Sequence, residues 1–340
     1  MAAVIPTRLV PKAFVWRRLQ SLMGLWFLIF LMEHLFTNSQ AAIFFGNNVM
    51  WFVNSVNFLH SIPYLPLVEI ILLGVPMAIH AIWGVWYMLS SQGNVRSRGG
   101  KATSQKYERN RAYSMQRISA WIILFGIILH VIQMRFVMYP YKVHLGSQSM
   151  AFGKYTVDPG LYKVAADLQV KIYSQDLIDK ERESLALLQN KALMVDKRLE
   201  EMKKTGVIGS DRYNLEADAA FKSQAAFHDK EMFYKGLTHF KLGAKEVIVA
   251  SKKSADLILL NVREAFQSVW MCVFYTLFVL AAVFHGSNGF WTFCITWGLL
   301  LSRKSQNAWV NFAYGLAFIL TALGMLSIWG SYFFSTGYYS

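Results

Sequence analysis

The sequence predicts an all-α membrane protein: five transmembrane helices, with a large polar insert between the third and the fourth. Three observations predict it. Five mostly apolar runs, at roughly 20–37, 66–90, 118–139, 267–286 and 309–332, are each long enough to cross a hydrocarbon layer of about 30 Å as a helix. The chain is 55% hydrophobic with a mean hydropathy of +0.32, the composition of a polytopic protein. Charge is segregated: outside residues 140–265 there are 14 Lys/Arg but only Glu33, Glu69 and Glu108 on the acidic side. The boundaries that follow are 1–140 for spans one to three, 141–266 for the insert and 267–340 for spans four and five.

Taken in order, Arg8, Lys12, Arg17 and Arg18 precede span one. The N-terminal stretch lacks a small-residue cleavage site after a short apolar core, so it does not read as a signal peptide. Residues 41–60 are broken by Gly46, Asn47 and Asn48 and read as an interfacial segment. Seven cations, Arg96, Arg98, Lys101, Lys106, Arg109, Arg111 and Arg117, separate spans two and three, and Arg303 and Lys304 separate spans four and five. These clusters hold 13 of the 14 cations and fall on one side of a five-span chain. The positive-inside bias then places the N-terminus in the cytoplasm, with the C-terminus and the insert outside. The net charge of +14 is a topology signal and gives no reason to invoke nucleic acid.

Four of the eight histidines lie within apolar spans, one on each of the first four: His34, His80, His130 and His285. A lone intramembrane imidazole is read first as a satisfied structural residue. Four on four successive helices point to chemistry, because each is costly at membrane depth unless paired. Neutral imidazoles from facing helices ligate haem iron axially, so four make two bis-histidine sites. Depth selects the pairs. His34 is 16 residues beyond Arg18 and His130 is 13 beyond Arg117, roughly 24 and 20 Å up from the inner surface. His80 and His285 descend about 21 Å or more from the outer surface. An outer haem on His34 and His130 and an inner haem on His80 and His285 follow.

Around these ligands, Arg17, Arg18 and Arg117 are candidate propionate contacts at the inner interface and Arg135 at the outer one. Topology alone explains the inner three equally well. Gly84 and Gly286 permit either close porphyrin approach or ordinary helix packing. Glu69 opens span two on the outer side, either as a carboxylate for a quinone or proton site or as a helix-start acid. Solvated or interfacial roles are favoured for His60, His144, His228 and His239. Cys272 and Cys294 read as packing residues. The sequence contains no CxxCH, no cysteine cluster, no GxGxxG opening a βαβ unit and no P-loop.

The stretches RRLQSLMG (17–24), EHLFTN (33–38), LVEIILLGVPMAIHAIWGVW (67–86), MQRISAWIILFGIILHVIQMR (115–135) and FHGSNGFWTFCITWG (284–298) carry a resemblance. Together they resemble the five-helix membrane-anchor cytochrome b subunit of bacterial diheme succinate:quinone oxidoreductases (complex II). The resemblance covers about residues 5–140 and 267–332 and includes all four histidine positions. It implies two haem b groups in the outer and inner pairing above. It also implies a bacterial inner (cytoplasmic) membrane, and a flavoprotein subunit carrying FAD together with an iron–sulfur subunit docked on the cytoplasmic face. Electrons from succinate would pass to the inner haem, the outer haem and a quinone, usually menaquinone. Glu69 matches a family glutamate. The chain itself has no residues for FAD or iron–sulfur, so it would be the anchor and electron relay and not the dicarboxylate catalyst. A fumarate reductase anchor shares the same pattern. A proton-coupled transporter is the reading from another class; the absence of an inverted repeat and of mid-membrane acids stands against it.

Residues 141–266 depart from that family, whose members carry a short loop here. The 20 Lys/Arg and 17 Asp/Glu of this segment describe a solvated surface. Apolar residues at helical spacing from Leu161 to Lys204, the break TGVIGS at 205–210, and a second run from Asp211 to Phe266 predict an extracytoplasmic helical hairpin. One arm of about 44 residues would reach roughly 65 Å, and the other would run on towards span four. A spacer or dimer contact and a docking arm both fit that shape.

Overall fold

The computed structural model describes residues 11–42, 49–90, 108–206 and 208–335. Arg8, the interfacial break at Gly46–Asn48 and the cations Arg96, Arg98, Lys101 and Lys106 lie outside the described residues. Among those described, five helices are long and apolar enough to cross a membrane: Lys12–Ala42, Leu65–Ser90, Arg111–Val137, Val269–Thr296 and Arg303–Phe333. We call them spans one to five. The chain is a multi-pass membrane protein whose spanning part is all-α. A separate short helix, Met50–His60, lies between spans one and two.

The burial pattern of the spans inverts that of a soluble protein. Leu65–Ser90 contains no buried residue at all. Phe36, Ile82, Trp86, Phe125 and Phe318 stand 60% or more exposed. Apolar surface on that scale would drive aggregation in water. In lipid it is the solvent-matched face, and helices satisfy every backbone group internally. Cohesion comes instead from close approach at small residues. Span four packs on spans one, three and five, and span one packs on spans two, four and five. At Gly324 of span five an added Cβ would fall 2.5 Å from Val279 Cγ1 of span four, so only glycine permits that contact.

Spans two, three and five each contain one turn of π-helix, at Ile70–Gly74, Ile132–Val137 and Leu326–Gly330. Glu69 immediately precedes the first of these, with helical backbone.

A second compact unit consists chiefly of Gln133–Gln267. It is not a bare helical hairpin. The order is β1 (Tyr141–Leu145), β2 (Gln148–Thr156), α1 (Pro159–Leu168), β3 (Lys171–Tyr173), α2 (Gln175–Lys204), α3 (Asp211–Thr238), β4 (Glu246–Ser251) and α4 (Ser254–Ala265). The strands form one antiparallel sheet in the order β1-β2-β4-β3. Gly146, at φ +55°, opens the two-residue turn between β1 and β2, a Gly-first hairpin connection.

Both faces of the sheet are covered, which explains the β-branched run Val247-Ile248-Val249 in β4. On one face Val143, Phe152, Tyr173, Ile248 and Ala250 pack on Ile178 of α2 and Leu237 of α3. On the other, Tyr155 reaches α4, its hydroxyl 2.9 Å from the Leu257 carbonyl and 2.8 Å from Asn261 Oδ1. Arg263 of α4, 1% exposed, donates to Asp158 Oδ1 at 2.9 Å. The same carboxylate caps α1, accepting from the Gly160 and Leu161 amides at 2.8 and 3.0 Å. Desolvation pulls the Arg263 guanidinium down from its ordinary pKa, and Asp158 opposes that pull.

The expected hairpin is therefore shorter than its sequence signal. The 161–204 arm is interrupted where Gln169 turns left-handed at φ 55° and β3 follows. Only Gln175–Lys204 continues as a helix, about 45 Å long. The second arm stops at Thr238, β4 intervenes, and α4 ends at Ala265 before span four begins at Val269. Arg198–Glu216 (3.2 Å) and Gln224–Asp196 (2.5 Å) tie α2 to α3.

Candidate functional site

Within the bundle, His34 of span one faces His130 of span three, with ring centroids 5.9 Å apart and planes at 87°. His80 of span two faces His285 of span four at 6.2 Å and 82°. Two imidazoles holding one metal at about 2 Å from each nitrogen bring their centroids to roughly 6 Å. All four rings are half-buried.

The second ring nitrogens are held as well. His80 Nδ1 lies 3.0 Å from the Gln20 carbonyl oxygen. A carbonyl only accepts, so that nitrogen carries the proton and the Nε2 lone pair is free to ligate. His285 Nδ1 lies 3.3 Å from Ser119 Oγ. Ser119 gives its own proton to the Gln116 carbonyl at 3.0 Å, so towards His285 it is the acceptor and the same tautomer follows. Gln116 also donates to the His285 carbonyl at 3.1 Å and accepts from Asn288 at 2.8 Å, bracing span three against span four. His130 Nδ1 lies 3.1 Å from the Tyr275 hydroxyl. The His34 ring stacks on Phe30 at 5.4 Å.

Glycines shape the walls. A Cβ on Gly24 would sit 2.9 Å from His80 Cε1, so span one can pass this ring only as glycine. A Cβ on Gly126 would sit 2.4 Å from Phe278, a ring that in turn lies 6.1 Å from His130. Gly84 and Gly286 face Gln20 and Leu28.

The donor set discriminates between cofactors. Among the described residues no three His, Cys, Asp or Glu side chains converge on a point that would hold a bare ion. Two imidazoles per site are too few for structural zinc, and they would suit a group that brings most of its metal's ligands with it, as a haem does.

The arginines have protein partners. Arg18 donates to the Thr296 carbonyl at the end of span four, and its guanidinium lies 5.2 Å from the Trp297 ring. Arg117 donates to the Met88 carbonyl at 3.1 Å, in the last turn of span two. Both complement the negative end of a helix dipole, and both keep further N–H donors. Arg17 sits over Tyr87 at 5.9 Å and Arg135 over Tyr139 at 4.6 Å. Glu69 is half-buried where span two passes from α to π. His228 lies 3.9 Å from Glu231, and His239 stacks on Tyr141 at 3.7 Å, both in the second unit. Cys272 and Cys294 are buried thiols, not joined in a disulfide.

Gln20, Ser119, Tyr275, Gly24 and Gln116 went unread in the sequence. Depth arithmetic offers a signal for two of them. Tyr275 lies ten residues before His285 on a descending helix, about 15 Å higher, and Ser119 lies eleven before His130 on an ascending one, about 16 Å lower. Each polar residue therefore falls at the level of the other pair.

No protein-family model matches the chain, and no solved structure matches it. Over 125 residues it is 30% identical to the succinate dehydrogenase cytochrome b558 subunit of Bacillus subtilis (strain 168). That stretch is 36% of this chain and 56% of the relative, a little over half of its length.

Proposed function

We propose that the chain is the membrane-anchor and electron-relay subunit of a succinate dehydrogenase complex, holding two b-type haems. The observation that carries this is the pair of facing imidazoles at each of two levels, 5.9 and 6.2 Å apart, with Nδ1 of His80 and His285 committed to protein acceptors. The similarity to a succinate dehydrogenase cytochrome b subunit supports the choice of complex.

On this proposal His34 and His130 hold the outer haem and His80 and His285 the inner one. Haem bound at these sites supplies one-electron carriage across the bilayer. The chain's own residues do the rest. Gln20 and Ser119 fix ring tautomer and orientation, which raises ligand basicity. The apolar spans exclude water. Arg18 and Arg117, anchored on helix ends, present their remaining N–H groups at the inner interface as propionate partners. Glu69 is proposed as the carboxylate beside a quinone, with menaquinone as the acceptor that the family resemblance implies. A flavoprotein subunit and an iron–sulfur subunit are the proposed cytoplasmic partners, consistent with the basic clusters on that side.

The test is succinate added to the purified complex, with absorbance followed in the b-haem region and haem quantified per chain. Two haems per chain, reducible by succinate, is the expected result. A complex that oxidises succinate while this chain carries no haem contradicts the proposal.

A further inference from the structure

We infer that Tyr275 is a positioning residue for the outer site, holding His130 through its ring Nδ1 and thereby setting the reduction potential of one haem independently of the other. The inference rests on the haem reading above and deepens it. Tyr275 is 4% exposed in an apolar helix. A buried hydroxyl is costly there unless paired, and its oxygen lies 3.1 Å from His130 Nδ1. The two rings meet edge to face with centroids 5.8 Å apart. Phe278 closes the arrangement, 6.1 Å from His130 and 6.2 Å from Tyr275, and Gly126 leaves room for it.

The chemistry follows from which nitrogen ligates. Were a haem iron held by Nε2, the imidazole proton would reside on Nδ1 and be donated to the phenol oxygen. That donation would give the ring partial imidazolate character, which favours ferric iron and lowers the potential. The other three histidines differ. His80 donates to a carbonyl, His285 to a serine hydroxyl, and among the described residues the His34 ring has an aromatic neighbour and no hydrogen bond. Among the described residues Tyr275 is thus the one side chain that holds an outer ring by a hydrogen bond, and Ser119 is its counterpart at the inner pair.

Redox titration of the purified complex, with the two haems resolved by absorbance and by their low-spin ferric EPR signals, tests this in Tyr275→Phe and Ser119→Ala. Tyr275→Phe is expected to keep both haems and to shift one of them towards ferrous by roughly tenfold, which is 59 mV for one electron. Its EPR signal should move and the other should not. Ser119→Ala should shift the second haem instead. Should Tyr275→Phe not accumulate, Tyr275→His restores an acceptor and must lie closer to wild type than Tyr275→Leu. Two haems with unchanged potentials in Tyr275→Phe overturn the inference while the haem assignment stands, and so do equal shifts of both. Absence of haem from wild type overturns the assignment itself.

Discussion

The membrane bundle and the Gln133–Gln267 unit are built on opposite rules within one chain. The bundle turns Phe, Ile and Trp outward and sets half-buried histidines facing one another in pairs. The second unit buries Phe152, Ile248 and Leu257 around a sheet and turns charge outward, with one buried ion pair, Arg263–Asp158, among its described residues. In the first, on the proposal above, the paired histidines serve cofactor chemistry. In the second, buried polarity holds a helix start in place. A buried polar group therefore has to be read against the solvent of its own region before it is given a role.

Substitutions in the two regions should separate these rules. The largest effect is expected in the bundle at Gly24→Leu. The added side chain enters the space of His80 Cε1, and the ring, bonded to Gln20 and facing His285, must leave its place. One haem of two should be lost, read as haem per chain, while the outer signal persists. Next comes Asp158→Ala, which removes the α1 cap and the carboxylate that the buried Arg263 donates to. It should cost about 3–5 kcal/mol, seen in the thermal unfolding of the second unit, with both haem bands unchanged. Loss of haem in this variant would break the separation between the regions. The smallest effect belongs to Lys222→Ala. Its ion pair with Asp218, 2.6 Å long, lies on an exposed helix face and should change stability by no more than about 0.5 kcal/mol.

The same contrast explains what was legible in the sequence. The spans were legible because lipid demands long unbroken apolar runs, and His34, His80, His130 and His285 stand out in such runs as costly exceptions. The facing pairs in the structure join the residues that depth arithmetic groups together. Tyr275 and Ser119 were not read, because a single hydroxyl in an apolar helix satisfies itself on its own backbone as readily as on a neighbour. In the second unit the periodicity of Leu161 to Met202 carried the helices. It hid the left-handed Gln169, which caps the end of α1, and β3, which is set by tertiary pairing with β4. The short strand β1 (YKVHL) has too few residues to show alternation, and β4 (EVIVAS) carries an unbroken apolar run from Val247 to Ala250 because both sheet faces are covered.

The central claim is that four histidines from four helices form two separate sites in fixed pairs. Dithionite-reduced minus oxidised spectra of the purified complex, with haem quantified per chain, test it in wild type, His130→Ala and His80→Ala. Two b-type haems in wild type are expected, with a different one lost in each variant. Loss of the same haem in both variants, or retention of two haems in either, would contradict the pairing.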